Sequence, residues 1–176
     1  MKFLKVLGIV LIAALALFIV IGIFLPKTAH LEKEISIQAP SQAVKDKIVE
    51  LYEDRFWPIW GKDDTTMVFT PLKNANGYRW EGEKVSRGQC EYTLGQGNTV
   101  RDKIRFQGKD IAETTWRLDG SSPTELHLRF TVNAGGNLGA RWTNLFIETL
   151  SGPQIDAILK DMKADLESDD KKQGTL

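Results

Sequence analysis

The chain has 176 residues, a length typical of one domain, and its 23 Lys and Arg residues balance its 23 Asp and Glu residues. From His30 onward the balance is slightly acidic, which argues against the basic patch of a nucleic-acid-binding protein, so we expect no nucleic-acid partner. Cys90 is the only cysteine and there are only two histidines, which excludes an intrachain disulfide and a cysteine- or histidine-rich metal site; we expect no cofactor.

The N-terminal segment is a candidate transmembrane helix. Residues 3–25 are apolar except for Lys5 and two glycines, and a helix of about 20 such residues rises roughly 30 Å, the thickness of the hydrocarbon core of a bilayer. The alternative is a signal peptide cleaved after Ala16, which would leave an apolar run at the new terminus. We therefore predict an uncleaved anchor at residues 1–27 and a single-pass protein of the cell membrane. Lysines before the span weakly favour an extracytoplasmic domain.

A strand and a helix follow the anchor. Residues 31–37 alternate between apolar and polar side chains, which predicts a strand that ends at Pro40. From Ser41, apolar residues recur at helical spacing and predict an amphipathic helix. This helix should stop before Pro58, inside an aromatic turn at residues 56–60, because the residue before a proline avoids helical backbone angles.

Residues 65–132 change to a period of two. Several runs alternate between apolar and polar side chains, and clusters of Gly, Asn, Asp and Pro separate them. This pattern predicts short strands joined by hairpins, in an antiparallel meander with one wet face and one apolar face. Alternation places Cys90 on the apolar face, where it should behave as a small apolar residue.

The C-terminal part returns to a period of 3.6. Trp142 and Phe146 share the apolar face of a first segment, which Gly152-Pro153 should interrupt. An apolar stripe over residues 155–166 then predicts a long helix. This helix is the obvious cover for the apolar face of the sheet.

These elements predict an α+β domain at residues 28–170, followed by a disordered tail at residues 171–176. The expected fold is a curved antiparallel sheet of about seven strands wrapped around a long C-terminal helix, with one transmembrane helix in front. A twisted sheet of this size curls, and a helix across its concave side can leave an apolar hollow that suits a ligand.

Three groups of residues share their order with a known family. They are the strand end and aromatic turn at 37–40 and 57–60, the Gly-Tyr-Arg-Trp-Glu-Gly segment at 77–82 followed by Gly88, and the helix that starts near 152–153. In this order they resemble the START-like (SRPBCC) helix-grip superfamily, in its polyketide cyclase/dehydrase-like branch. The resemblance implies the helix-grip fold and a cavity for a hydrophobic ligand, and it implies no particular reaction.

Aromatic side chains and one carboxylate are the candidates for the wall of such a cavity. Tyr and Trp suit this role because each offers bulk and one hydrogen-bonding atom, although plain core packing is the alternative for every one of them. The candidate ligand-binding residues are Trp57, Trp60, Tyr78, Trp80, Tyr92, Asp102, Trp116, Phe130, Trp142 and Phe146.

Asp102 has two possible environments. Alternation places it on the apolar face with Val100 and Ile104, where a carboxylate could have a raised pKa and act as an acid or base. The alternative, which we favour from the sequence, is a wet rim beside the turn at residues 95–98.

The sequence contains no Gly-rich phosphate loop, no nucleophile elbow and no His-Glu-x-x-His helix, so we predict no catalytic or metal-binding residue. Three functions remain open. The leading one is a membrane-anchored binding module for a lipid or other hydrophobic small molecule, held between the sheet and the C-terminal helix. The others are a scaffold with a filled core that binds partner proteins, and an enzyme of the cyclase/dehydrase type.

Overall fold

The computed structural model describes residues 2–55 and 64–173. Within these residues, one apolar helix precedes a seven-stranded antiparallel sheet, a second helix follows the first strand, and two helices end the chain. The elements are α1 (Lys2–Phe24), β1 (Thr28–Ile37), α2 (Ser41–Glu53), β2 (Val68–Pro71), β3 (Asn76–Gly82), β4 (Ser86–Leu94), β5 (Thr99–Phe106), β6 (Lys109–Asp119), β7 (Thr124–Asn133), α3 (Leu138–Asn144) and α4 (Ile147–Gln173). The predicted α+β helix-grip fold is confirmed.

The sheet follows the predicted meander. Its strand order is β1-β7-β6-β5-β4-β3-β2, so that β2 to β6 each pair with the next strand in the chain, and β7, the last strand, also pairs with β1, the first. The register places Val100 opposite Trp116, and Trp116 opposite Leu128. Because side chains alternate between faces, such rows put the apolar residues of neighbouring strands side by side on one inner face.

Helices α2 and α4 cover this inner face. Burial of an apolar side chain contributes about 1.5–3 kcal/mol, so their apolar stripes hold both helices on the sheet. The buried residues of these stripes are Val44, Ile48, Tyr52, Ile155, Leu159 and Met162. Helix α2 ends at Glu53, where the chain turns through Arg55 with a left-handed backbone (φ 62°).

The expected interruption at Gly152-Pro153 is wrong. Helix α4 continues without a break through Pro153, from Ile147 to Gln173. A proline inside a helix removes one backbone donor and costs about 3 kcal/mol. The buried stripe that follows the proline contributes more than this cost, which keeps α4 in one piece.

Helix α1 is long and apolar enough to cross a membrane. Its side chains are largely exposed in the isolated chain, unlike those of a helix in the core of a soluble protein. Its contacts with the rest of the protein concentrate on α3. Helix α1 therefore stands outside the core.

Candidate ligand-binding site

Six of the ten predicted side chains meet in the interior between the sheet and its two covering helices. Each is less than 10 % exposed, and they come from five different strands, β3 to β7. The six are Tyr78, Trp80, Tyr92, Asp102, Trp116 and Phe130. The rows of the sheet therefore gather an aromatic interior from residues that are distant in the sequence.

Asp102 lies inside this interior, so the wet-rim alternative is wrong. Its side chain is 1 % exposed because β5 pairs on both sides, with Asp102 opposite Tyr92 in β4 and opposite Thr114 in β6. The backbone N–H of Thr114 donates to Oδ1 of Asp102 (2.9 Å), and the hydroxyl of Tyr52 donates to Oδ2 (2.6 Å). A buried carboxylate needs such donors, because its transfer from water is otherwise very costly.

Tyr52 is the site residue that our sequence analysis missed. Besides donating to Asp102, its hydroxyl accepts a hydrogen bond from Nε1 of Trp116 (2.8 Å), and its ring stacks on Tyr92 with centroids 4.7 Å apart. The sequence did contain a signal for it: Tyr52 lies in the apolar stripe of a helix, and a buried hydroxyl needs a hydrogen-bond partner. We call Tyr52, Asp102 and Trp116 the polar cluster.

The ionisable groups beside the polar cluster retain their protons. Burial, and next the charge of Asp102, raise the pKa of Tyr52 well above its usual range. Burial is also the main cause that raises the pKa of Tyr78, of Tyr92 and of the Cys90 thiol. These groups therefore offer hydrogen bonds rather than a thiolate nucleophile or a tyrosinate base at neutral pH.

Trp80 has an unused donor. Its side chain is 2 % exposed, and its Nε1 has no hydrogen-bond partner among the described residues. The indole lies flat on β4 at Gly88, where a Cβ atom would come within 2.1 Å of the ring. The spacing of Trp80 and Gly88 that we noted in the sequence thus has a packing reason, and it leaves a buried N–H that a ligand acceptor would satisfy.

The structure places two of the other four candidates outside this interior. Trp57 and Trp60 fall outside the described residues. Trp142 stacks on Phe18 of α1, with centroids 4.6 Å apart, and Phe146 is 56 % exposed. Trp142 belongs to α3, the element that contacts α1, and Phe146 lies in the turn between α3 and α4.

A groove of about 210 Å³ separates α2 from α4. Its apolar floor contains Leu51, Ile158 and the buried Met162. Lys47 bridges the groove by pairing with Glu50 of its own helix (3.0 Å) and with Asp165 of α4 (3.2 Å). Within residues 2–55 and 64–173, no cluster of His, Cys, Asp and Glu could hold a metal ion.

Comparisons with known proteins place the chain by its fold. No protein-family model matches the sequence, and no curated protein sequence matches it. Among solved structures, a START superfamily protein from Mycobacterium smegmatis is similar at a TM-score of 0.50 and 13% identity, over 79% of this chain and 97% of that one. Norcoclaurine synthase from Thalictrum flavum is similar at a TM-score of 0.54 and 10% identity, over 81% of this chain and 96% of that one.

A third similar structure is the di-domain aromatase/cyclase StfQ of the steffimycin biosynthetic pathway. It has a TM-score of 0.58 and 10% identity, over 82% of this chain, and this chain spans about half (52%) of its length. At such low identities the likeness is one of fold, and it transfers no residue role.

Proposed function

We propose that this chain, which has the START-like helix-grip fold, is a membrane-anchored binding module for a hydrophobic small molecule that carries a hydrogen-bond acceptor. The observation that carries the proposal is a buried N–H donor on Trp80 without a partner among the described residues, in the same interior as the polar cluster. A core that serves packing alone is less costly without such groups, because each buried polar atom has to recover its lost hydration.

The fold supports a small-molecule ligand. The norcoclaurine synthase from Thalictrum flavum is known in complex with dopamine and hydroxybenzaldehyde, two small aromatic molecules with polar groups. The interior of the present chain has aromatic walls and a few polar atoms, a combination that is typical of ligand sites.

The groove between α2 and α4 supports an entry route. The interior is closed among the described residues, with Tyr78 and Tyr92 only 5 % and 7 % exposed, so a ligand enters when covering elements separate. The floor of the groove reaches Met162, which is itself part of the core. Exposed ion pairs such as that of Lys47 and Asp165 contribute little, about 0–1 kcal/mol, and would hinder such a separation only weakly.

Helix α1 supports membrane anchoring. A span of this length and composition fixes the domain next to lipids, which are a ready source of hydrophobic ligands. We further propose that the domain lies on the extracytoplasmic side, because Lys2 and Lys5 precede the span.

The closed interior also favours a second candidate function, a membrane scaffold that binds partner proteins. Trp116, Ile104 and Leu126 are each 0 % exposed, as in a core without a ligand. The two functions differ in what the interior of the purified protein contains, since a scaffold with a filled core holds no specific small molecule there.

Mass spectrometry of small molecules that co-purify with the full-length chain tests the proposal. We compare the wild type with Trp80→Phe, which keeps an aromatic ring and removes the donor, and with Trp142→Phe, which makes the same change outside the interior. The expected result is one apolar compound in near-equal yield from wild type and Trp142→Phe. Its affinity should be about fivefold weaker for Trp80→Phe, the effect of one hydrogen bond. Recovery of the same mixed lipids from all three proteins would favour the scaffold.

A further inference from the structure

The corner between α3 and α4 exposes large apolar side chains. Outside α1, five large apolar residues of the described chain are exposed, and three of them lie at this corner. Leu145, Phe146 and Leu150 are 52 %, 56 % and 54 % exposed. Phe146 and Leu150 are one helical turn apart, so they share a face. We call these three residues the corner patch.

The corner patch lies beside the C-terminal part of α1. Trp142, three residues before Leu145, stacks on Phe18 with an interplanar angle of 6°. A Cβ atom at Gly22 would come within 2.9 Å of Nε1 of Trp142, so this glycine lets α3 lie directly against α1. The patch is therefore continuous with the apolar surface of the anchor.

Hydrogen bonds fix this junction. Nη1 of Arg141 donates to the carbonyl of Ile23 (2.7 Å), and Nη2 donates to the carbonyl of Gly135 (3.1 Å). A cation is favourable at the C-terminal end of a helix, where carbonyl groups lack partners within the helix. The backbone N–H of Ala134 also donates to the carbonyl of Lys27 (2.8 Å), which ties the linker after α1 to the end of β7.

The level at which Trp142 contacts α1 determines how deep the corner would lie in a membrane. Phe18 precedes Phe24, the last residue of α1, by six positions, which is about 9 Å along the helix axis. If α1 spans a bilayer and Phe24 lies at its surface, the ring stacked on Phe18 lies about 9 Å below that surface. Amphipathic helices at a membrane surface bury their apolar faces to a similar depth of about 5–10 Å.

We propose that the corner patch inserts into the surface of the bilayer that α1 spans, so that the domain contacts the membrane at two points. The inference rests on the proposed membrane anchor. The charge distribution fits a lipid surface: Glu148, between Phe146 and Leu150 in sequence, points away from their shared face and pairs with Lys33 of β1 (2.7 Å). Docking fixes the first turn of α4, the helix that closes the proposed ligand site, relative to the lipids.

Fluorescence quenching of single-cysteine variants of the full-length chain tests this proposal. In a Cys90→Ala background, an environment-sensitive dye is attached at Leu150→Cys, and the protein is placed in vesicles of phosphatidylcholine and phosphatidylglycerol. The matched control is Leu94→Cys, which is similarly exposed (51 %) but lies four strands away from β1. A third variant, Ala14→Cys, reports on the middle of α1.

The expected result is that nitroxide-labelled lipids quench the dye at position 150, with a blue-shifted emission and loss of quenching by aqueous iodide. The dye at position 94 should show the opposite behaviour. Adding Phe146→Asp should restore iodide quenching at position 150. Iodide quenching at 150 equal to that at 94, with lipid quenching at 14 retained, would overturn the docking proposal while leaving the anchor intact. Loss of lipid quenching at 14 would overturn the anchor itself.

A second copy of the chain is the other possible occupant of the patch. In that case the dye at position 150 would be shielded from iodide and also insensitive to nitroxide-labelled lipids. Its shielding would disappear when labelled protein is diluted among many vesicles. This outcome would overturn the proposal in favour of a dimer.

Discussion

The hydroxyl of Tyr52 joins the covering helix α2 to the sheet, because it bonds to one residue of β5 and one of β6. It uses its proton for Asp102 and one lone pair for Trp116. The alternation of β5 was sufficient to predict that Asp102 points inward. The partners were not predictable, since Tyr52 and Asp102 are 50 positions apart in the sequence. The hydroxyl of Tyr52 reaches Asp102 only because of the way α2 packs on the sheet, and that packing depends on contacts between distant parts of the sequence.

The tyrosines predict a loss of stability at alkaline pH. The chain contains three tyrosines, and all three have a raised pKa, mainly because burial disfavours the charged form. Below the ordinary pKa of about 10, their contribution to stability is fully present. Above it the unfolded chain binds fewer protons than the folded chain, so the free energy of unfolding falls as pH rises.

The measurement is tyrosinate absorbance, followed together with circular dichroism from about pH 8 to 12. We expect tyrosinate to appear only as the domain unfolds, whereas the chain in urea titrates near its ordinary pKa. A native domain whose three tyrosines ionise with the same midpoint as the urea-unfolded chain would contradict this prediction.

At the scale of elements, the β3–β4 hairpin is the clearest case of a sequence pattern with a physical cause. Trp80 and Gly88 face each other in the register of the two strands, and the missing side chain of the glycine makes room for the indole. Strand and helix periods predicted the elements well because both reflect burial on one face. The sequence analysis divided α4 at Gly152-Pro153, because proline disfavours a helix interior. Packing of the buried stripe after Pro153 outweighs this local cost.

Gly88→Ala should therefore destabilise the domain. The added methyl group would overlap the buried ring of Trp80, and such overpacking costs about 1–3 kcal/mol. The control is Gly95→Ala, just beyond the other end of β4, where the nearest atom to the new Cβ is 3.4 Å away. Thermal unfolding should show a clearly lower melting temperature for Gly88→Ala than for the control. Equal melting temperatures would show that the close approach is not required.

The described part of the molecule divides into a core and the apolar helix α1, which share few contacts. No described residue of α1 belongs to the hydrophobic core, which the sheet, its covering helices and the turn between β1 and α2 form. The sequence predicted this division, because a long apolar run is typical of a membrane-spanning helix, whereas an alternating pattern is typical of a strand with one face in water. The junction was not readable: the pairing of Phe18 with Trp142 and of Ile23 with Arg141 joins segments more than one hundred residues apart.

We therefore predict that residues 28–176 fold without the anchor but associate in water. The core keeps all of its contacts, whereas removal of α1 uncovers Trp142 beside the corner patch, and large exposed apolar patches drive association. Cys90, the single thiol, is 0 % exposed and reports on folding through its reaction with a thiol reagent. The thiol should remain protected in the truncated chain, and Phe146→Asp with Leu150→Asp should make that chain more monomeric in sedimentation. Immediate reaction of Cys90 in the truncated chain, with protection in the full-length chain, would mean that α1 is part of the folding unit.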